Sequence, residues 1–413
     1  MGVSSFSSEQ EKVSSEFFAR FCGMVFSSLK RRDQRRWARL YLRGLLSIEG
    51  RKTMRGIASL ESGPAVEQSL QQFISQSPWG WITVRRTLAG FVEQAIRPIA
   101  LVVEPLVIPK SGDHTVGVER RFVRKLGRLA NCQQVVGVWL ASEQAACPID
   151  WRLILPESWT GDPGRRRRAG IPDDEVSLSV EECAAEVVAA ITGAWGLRQR
   201  PVVVDAREID IGRMIFEFSA RGIPFVLRVP ESIPVSPSDP RIPLGTGRRI
   251  QAGQLIDALR DVSRIVESPK SAGAAQRPGN DRAGYAVSAR VHTPYRSSTA
   301  EPGEPALTLL GAWTVPEQRS ASVWLTNINQ APPGMLLRIA RTAERVAWER
   351  AGVTHHLGLR DFEGRSFRGW HHHVTLVSVA HAFWTLLSEG GNQFLYPTTP
   401  AAAVPGGRAG RTA

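Results

Sequence analysis

Cysteine is scarce. The 413 residues hold four, Cys22, Cys132, Cys147 and Cys183, with no CxxC pair and no metal-ligand spacing, which argues against a zinc module and a disulfide-rich scaffold. No uncharged apolar run approaches the roughly 18 residues of a membrane span. The opening MGVSSFSSEQEK is polar where a signal peptide would carry a basic start and an apolar stretch. A soluble, cytoplasmic protein with no membrane partner is expected. No internal repeat is found. Carboxylates are also in short supply, 39 against 52 Lys plus Arg, giving a net charge of +13 and a pI near 10.4. That surplus must sit largely on the surface, where it attracts polyanions, so nucleic acid is the first partner to consider.

What is present suits a folded chain. Hydrophobic residues make up 42% and charged residues 22%, too apolar for wholesale disorder, and the length allows two or three packed units. Residues 1–16 are read as a frayed, Ser-rich start and 17–97 as a helical DNA-binding domain. Within it Trp37, Leu40, Tyr41 and Leu45 recur at helical spacing while Arg39 and Arg43 face away. Arg31, Arg32, Arg35 and Arg36 are candidate phosphate contacts there; a helical bundle with a solvated basic face is the alternative.

The texture changes at Ile99. A buried strand at 99–108, interrupted by Pro105, is followed by strand patterns at 133–141 and 150–156, a helix at 179–195, a short strand at 200–206 and another at 223–229. Strands interleaved with helices indicate an α/β core, its first part spanning 98–231. A loop at 156–175 carries four consecutive cations, Arg165, Arg166, Arg167 and Arg168, which either stay solvated or lie against phosphate. Residues 232–332 read as a β-rich insertion, flexible at 266–304, with a strand pair flanking PEQRS. Helices at 333–351 and 373–388 then complete the core within a 333–397 segment, and 398–413 form a loose tail.

Acids at strand ends are the candidate chemistry. A carboxylate after one buried strand, a second after another and a third on a late helix is the layout of an RNase-H-like nuclease, because two divalent ions roughly 4 Å apart must activate the nucleophile and steady the leaving oxygen. Asp205 and Glu104 occupy two such ends. On pattern alone they equally cap following elements.

The block GLRDFEGRSFRGWHHHVTLVSVAHAF at 358–383 closely resembles the tail of bacterial insertion-sequence transposases of the DDE superfamily. IPKSGDHTVGVERRFVRKLGRLANCQQVVGVWLA at 108–141, LPESWTGDPGRRRRAGIPDD at 155–174 and ARLYLRGLL at 38–46 resemble blocks of the same family in the same order. The resemblance implies an RNase-H-like catalytic domain behind a helical N-terminal domain, Mg²⁺ or Mn²⁺ as cofactor, and cut-and-paste transposition of double-stranded DNA. Transposon terminal inverted repeats, a possible homodimer on DNA and a nucleoid-associated location follow from it. It also implies that Lys110, Arg121, Arg124, Lys125, Arg365 and Arg368 lie near DNA.

Carried over residue by residue, the resemblance exposes losses. The first metal ligand, an Asp in the family, is Glu104 here, and the second matches as Asp205, followed by Arg207 rather than Tyr-Gly. The late-helix Arg, Glu and Lys fall on Ala343, Ala347 and Thr354. Glu to Ala removes a ligand outright, and an extra methylene at position 104 displaces a carboxylate in a site that tolerates roughly 0.5 Å. Glu344, one turn before Ala347, and Glu363, in DFEGRS, are the candidate substitutes; the alternative role for Glu363 is a turn-fixing partner of Arg365 or Arg368. His371, His372 and His373 point in different directions on a helix and suit scaffold better than zinc. Trp370, Phe383 and Trp384 are assigned to the core. The expectation is a DNA-binding, transposase-like chain with an impaired two-metal site. An active enzyme using Glu104, Asp205 and Glu344 or Glu363, and a domesticated DNA-binding regulator, are its rivals.

Overall fold

The computed structural model describes residues 8–63, 65–238, 242, 247–262, 264–266, 284–295, 307–314 and 321–388. The expected flexible stretches 267–283 and 296–304, and the tail 398–413, lie outside them.

Five helices open the chain: α1 (Ser8–Val25), α2 (Arg32–Ser47), α3 (Met54–Ala58), α4 (Val66–Ser75) and α5 (Trp81–Ile96). α1 begins within the stretch expected to fray, because Phe17, Phe21, Cys22 and Val25 give its C-terminal turns an apolar face that the core buries. In α2, Ala38, Tyr41, Leu42 and Leu45 are buried while Arg39 and Arg43 are exposed, as the spacing predicts.

Next come β1 (Ala100–Pro109), β2 (Glu119–Val123), β3 (Arg128–Ala141) and β4 (Ala146–Ile154), then α6 (Glu157–Thr160), α7 (Pro163–Ala169) and α8 (Val180–Thr192). Pro105 does not interrupt β1. The Leu101 amide points toward the strand carrying Asp205, so the odd-numbered positions face that side. That strand pairs only with 101–103, and the missing N–H of Pro105 therefore costs no ladder bond. The run Arg165–Arg168 is not a loop either. Asp162 caps the amides of Gly164 and Arg165, Pro163 takes the first turn and Gly170 closes the helix at φ 64°.

The remaining elements are β5 (Val202–Asp205), α9 (Ile211–Ala220), β6 (Phe225–Val229), β7 (Pro234–Pro237), β8 (Ile250–Gln251), α10 (Ala252–Ala258), β9 (Arg264–Val266), β10 (Gly284–His292), β11 (Leu307–Trp313), β12 (Ser322–Thr326), α11 (Pro333–Glu349) and α12 (Phe367–Ser388). Together the strands form one large mixed sheet, ordered β2-β3-β1-β5-β6-β12-β11-β10-β7-β8, with β4 also on β3 and β9 on β10. β1, β5 and β6 run parallel. β10 falls inside the stretch 266–304 expected to be flexible. Ala286, Val287, Ala289 and Val291 are buried, and pairing with β11 outweighs the polar flanks.

α12 organises the packing. It lies against β4 on one side and α2, α4 and α5 on the other, so a single core joins the N-terminal helices to the sheet. Arg85 of α5 fastens this junction while 1% exposed. It donates to Asp150 at 2.5 Å, to the Trp151 carbonyl at 2.7 Å and to Thr375 at 2.7 Å. A buried cation is tolerable only when so fully satisfied. Trp370 and Phe383 are core residues as expected, but Trp384 is 49% exposed, because it points off the outer face of α12 near the helix end.

Candidate active site

β1 and β5 are parallel neighbours in register up to Val103 and Val204. The next residues of the two strands are Glu104 and Asp205, which therefore project to the same face from adjacent strands about 4.8 Å apart. The fold thus brings two of the candidate acids together where β5 ends beside the middle of β1.

Each acid already holds an arginine. Arg350 Nε donates to Glu104 Oε1 at 2.6 Å, with the two side chains 18% and 16% exposed. Arg350 opens a π-helical turn, Arg350–Thr354, that directly continues α11, and such turns shift the direction of a helical side chain. Arg207 grips Asp205 with two prongs, Nε to Oδ1 at 2.8 Å and Nη2 to Oδ2 at 2.6 Å, while Arg228 of β6 stands 4.0 Å from Oδ2. Burial alone would raise the Asp205 pKa, but the Arg207 hydrogen bonds and the charges of Arg207 and Arg228 outweigh it and hold the carboxyl below its usual value.

α11 crosses the sheet over β1, β5 and β6. Ala343, Ala347 and Arg350 follow at i, i+4 and i+7, so they share one helical face. Ala347 presents an exposed methyl group and Thr354 is buried against His381, 3.0 Å from its Nδ1. Glu344 is exposed. Glu363 pairs with Arg51 at 2.7 Å, not with Arg365 or Arg368. The reason is that the α2–α3 connection packs on the 358–364 segment, where the Lys52 amide donates to Asp361 at 2.7 Å.

The basic candidates divide into tied and open groups. Lys110 donates to the carbonyls of Arg360 (2.8 Å) and Phe362 (2.6 Å), and burial pulls its pKa down to about 8. Arg166 staples the carbonyls of Thr160, Pro172 and Glu175, Arg35 donates to Leu29, and Arg121 bonds Gln134. Arg31 pairs with Asp33, Arg36 with Glu61, Arg165 with Asp162, and Arg368 donates to the Gln76 carbonyl. Arg32, Arg124, Arg167, Arg168 and Arg365 are exposed. Lys125 follows Arg124 in the turn between β2 and β3. The three consecutive histidines serve packing. His372 bridges the Ile74 and Trp79 carbonyls, His373 lies between the Tyr41 hydroxyl and the Gly358 carbonyl, and His371 stacks on Trp81.

Sequence reasoning missed the arginines of the acidic pair. Arg207 was visible as a departure beside Asp205. Arg350 had a weaker signal, its i+7 spacing from Ala343 along the face where the metal-binding Glu was sought.

The family model described as DDE superfamily endonuclease matches residues 24–286, well over half of the chain. The chain belongs to that family. Among solved structures, a cryo-EM structure of a piggyBac transposase synaptic complex with hairpin DNA is similar at a TM-score of 0.39 and 10% identity, covering 92% of this chain and 76% of that one. No curated protein matches.

DDE-family endonucleases normally use divalent metal ions, which sets a test for this member. A pair of hard cations needs carboxylate oxygens free to coordinate. Here Glu104 and Asp205 are held by guanidinium groups, and position 347 offers a methyl. Among the described residues no group of three His, Cys, Asp or Glu side chains could hold a metal ion. The donor set does not fit two divalent ions, and no catalytic step is derived through them.

Proposed function

We propose that this DDE-family chain is a transposition-related DNA-binding protein whose phosphoryl-transfer site is impaired. The observation that carries the reading is the pairing of both acids with fixed cations: Arg350 on Glu104, and Arg207 with Arg228 on Asp205. Cations belong at such a site in the family, but these are fixed protein cations that neither activate water nor bridge two oxygens. Losing a ligand costs catalysis several orders of magnitude. The order β3-β1-β5-β6, with β4 and β2 on β3, supports an RNase-H-like core spanning 98–231 and 333–397. β7 to β12 would then be the insertion at 232–332, and α1 to α5 the helical DNA-binding region.

Binding to double-stranded DNA, including the terminal inverted repeats of the parent element, is assigned to the open cations Arg32, Arg124, Arg167, Arg168 and Arg365, with Lys125 beside them. The test pairs two measurements on the purified chain: equilibrium binding to duplex DNA across a salt series, and nicking or strand transfer of terminal-repeat DNA with Mg²⁺ or Mn²⁺. Salt-sensitive binding without cleavage is the expected result. Metal-dependent nicking that disappears in Asp205→Ala would overturn it in favour of an active enzyme. That rival has less support from the geometry, since Glu363 is committed to Arg51 and Glu344 faces solvent.

A further inference from the structure

The β2–β3 hairpin presents an unusual surface. Phe122 and Leu129 are directly paired across it, and they are 60% and 55% exposed. Large apolar side chains facing each other in water contribute little to the fold, and a contiguous exposed apolar patch marks a contact surface. Arg120 and Asn131 pair two residues further along the same face. Beneath them lies an open concavity of about 420 Å³ lined by Lys110, Ser111, Arg120, Arg128, Leu129 and Asn131 together with Ala130. The segment 119–132 carries five cations, Arg120, Arg121, Arg124, Lys125 and Arg128, against the single acid Glu119. Such a charge repels a second copy of the same hairpin and any basic partner, and it gives a neutral partner no electrostatic attraction. It suits a polyanion that also offers apolar surface, and that description fits duplex DNA, whose bases lie between two rows of phosphates.

We infer that this hairpin is a DNA-reading ribbon in which Phe122 and Leu129 contact bases while Arg120, Arg124 and Arg128 hold the flanking phosphates. A two-stranded ribbon fits the major groove, roughly 12 Å wide, where apolar side chains meet thymine methyl groups. Leu129 lies eight residues before Gly137, the β3 partner of Glu104. At about 3.4 Å per residue the apolar pair stands about 27 Å along the strand from the acidic pair. The bases it touches are therefore about eight base pairs from whatever lies over β1 and β5. The inference rests on the DNA-binding reading and adds base contact to it.

Phosphate and base contacts respond differently to salt. Replacing a phosphate-bound cation flattens the dependence of log K on log salt by about one unit per residue, whereas replacing a base contact lowers affinity at every salt concentration with the slope unchanged. The full chain is titrated with duplex DNA of random and of A·T-rich sequence, as wild type, Phe122→Ala with Leu129→Ser, and Arg124→Gln with Arg128→Gln. All four positions are exposed, and circular dichroism with thermal melting checks that each variant folds. The apolar double variant should bind about tenfold more weakly with an unaltered slope and lose discrimination between the two duplexes. The arginine double variant should lose about two units of slope. Wild-type binding that neither double variant changes would overturn the inference and leave the DNA-binding reading standing. A folded wild type that shows no salt-dependent binding would overturn both.

Discussion

The pairing of Arg350 with Glu104 can be tested as an energetic coupling. The two groups meet at 2.6 Å with more than four fifths of each side chain buried. At an effective dielectric constant of about 20, unit charges about 4 Å apart attract by about 4 kcal/mol, and roughly half of that is offset by the desolvation of both groups. A net coupling of about 2 kcal/mol remains. Glu104→Gln keeps the shape and removes the charge, and Arg350→Met keeps most of the aliphatic stem that packs beneath the guanidinium. Each single substitution should cost about 3 kcal/mol, because the remaining charge stays in a poorly solvated place, and the double variant about 4 rather than 6. Guanidinium denaturation of the four proteins at pH 7, read at constant slope, supplies the cycle. Losses that simply add, or an Arg350→Met variant as stable as wild type, would refute the ion pair and with it the account of how the Glu104 charge is offset.

Three further outcomes are expected. Rebuilding the acidic set with Glu104→Asp, Ala347→Glu, Arg207→Ala and Arg350→Ala should create Mn²⁺ binding measurable by calorimetry, and a folded quadruple variant that takes up no Mn²⁺ would show that these arginines are not what excludes the ion. Gly137→Ala should destabilise by about 1–3 kcal/mol, since a Cβ there would meet the buried Trp151 ring at 2.5 Å; an unchanged melting temperature would contradict that packing. Burial holds both His373 and His381 at about 4, against an ordinary 6.5. Their stability contribution is therefore complete above pH 6.5 and is withdrawn as pH falls toward 4, by about 2 kcal/mol per ring at pH 5. Equal denaturation midpoints at pH 7 and pH 5 would rule it out.

Much of this architecture was legible in the residues because the relevant signals are local. Tyr41 and Leu45 declare a helix face, Ser179 with Glu182 forms the capping box that starts α8, and largely apolar runs mark β1 and β5 as buried strands. At Pro105 and β10 strand partners distant in sequence overrode the local signal, whereas at Arg165–Arg168 the signal was local and overlooked. Pro105 looks like a strand breaker, but it sits where β5 has already ended. Arg165–Arg168 look like a solvated loop, but Asp162 and Gly170 cap them into a helix. β10 has polar flanks and becomes strand through its neighbours.

The same distinction governs the acidic pair. Glu104 and Asp205 stand out in the sequence as acids in buried strand patterns, Asp205 closing its run and Glu104 inside 99–108; the parallel pairing of β1 with β5 makes them neighbours. That their charges are already neutralised is not legible there, because Arg350 lies 246 residues from Glu104 in sequence and reaches it through a π turn no periodicity announces. Two adjacent carboxylates on β1 and β5 would repel each other, a costly arrangement unless cations are held beside them. Arginines at 207, 228 and 350 relieve that repulsion. On the proposed reading the methyl at position 347 and the guanidinium groups belong together, and Ala347→Glu alone should leave Glu104 and Asp205 paired with their arginines.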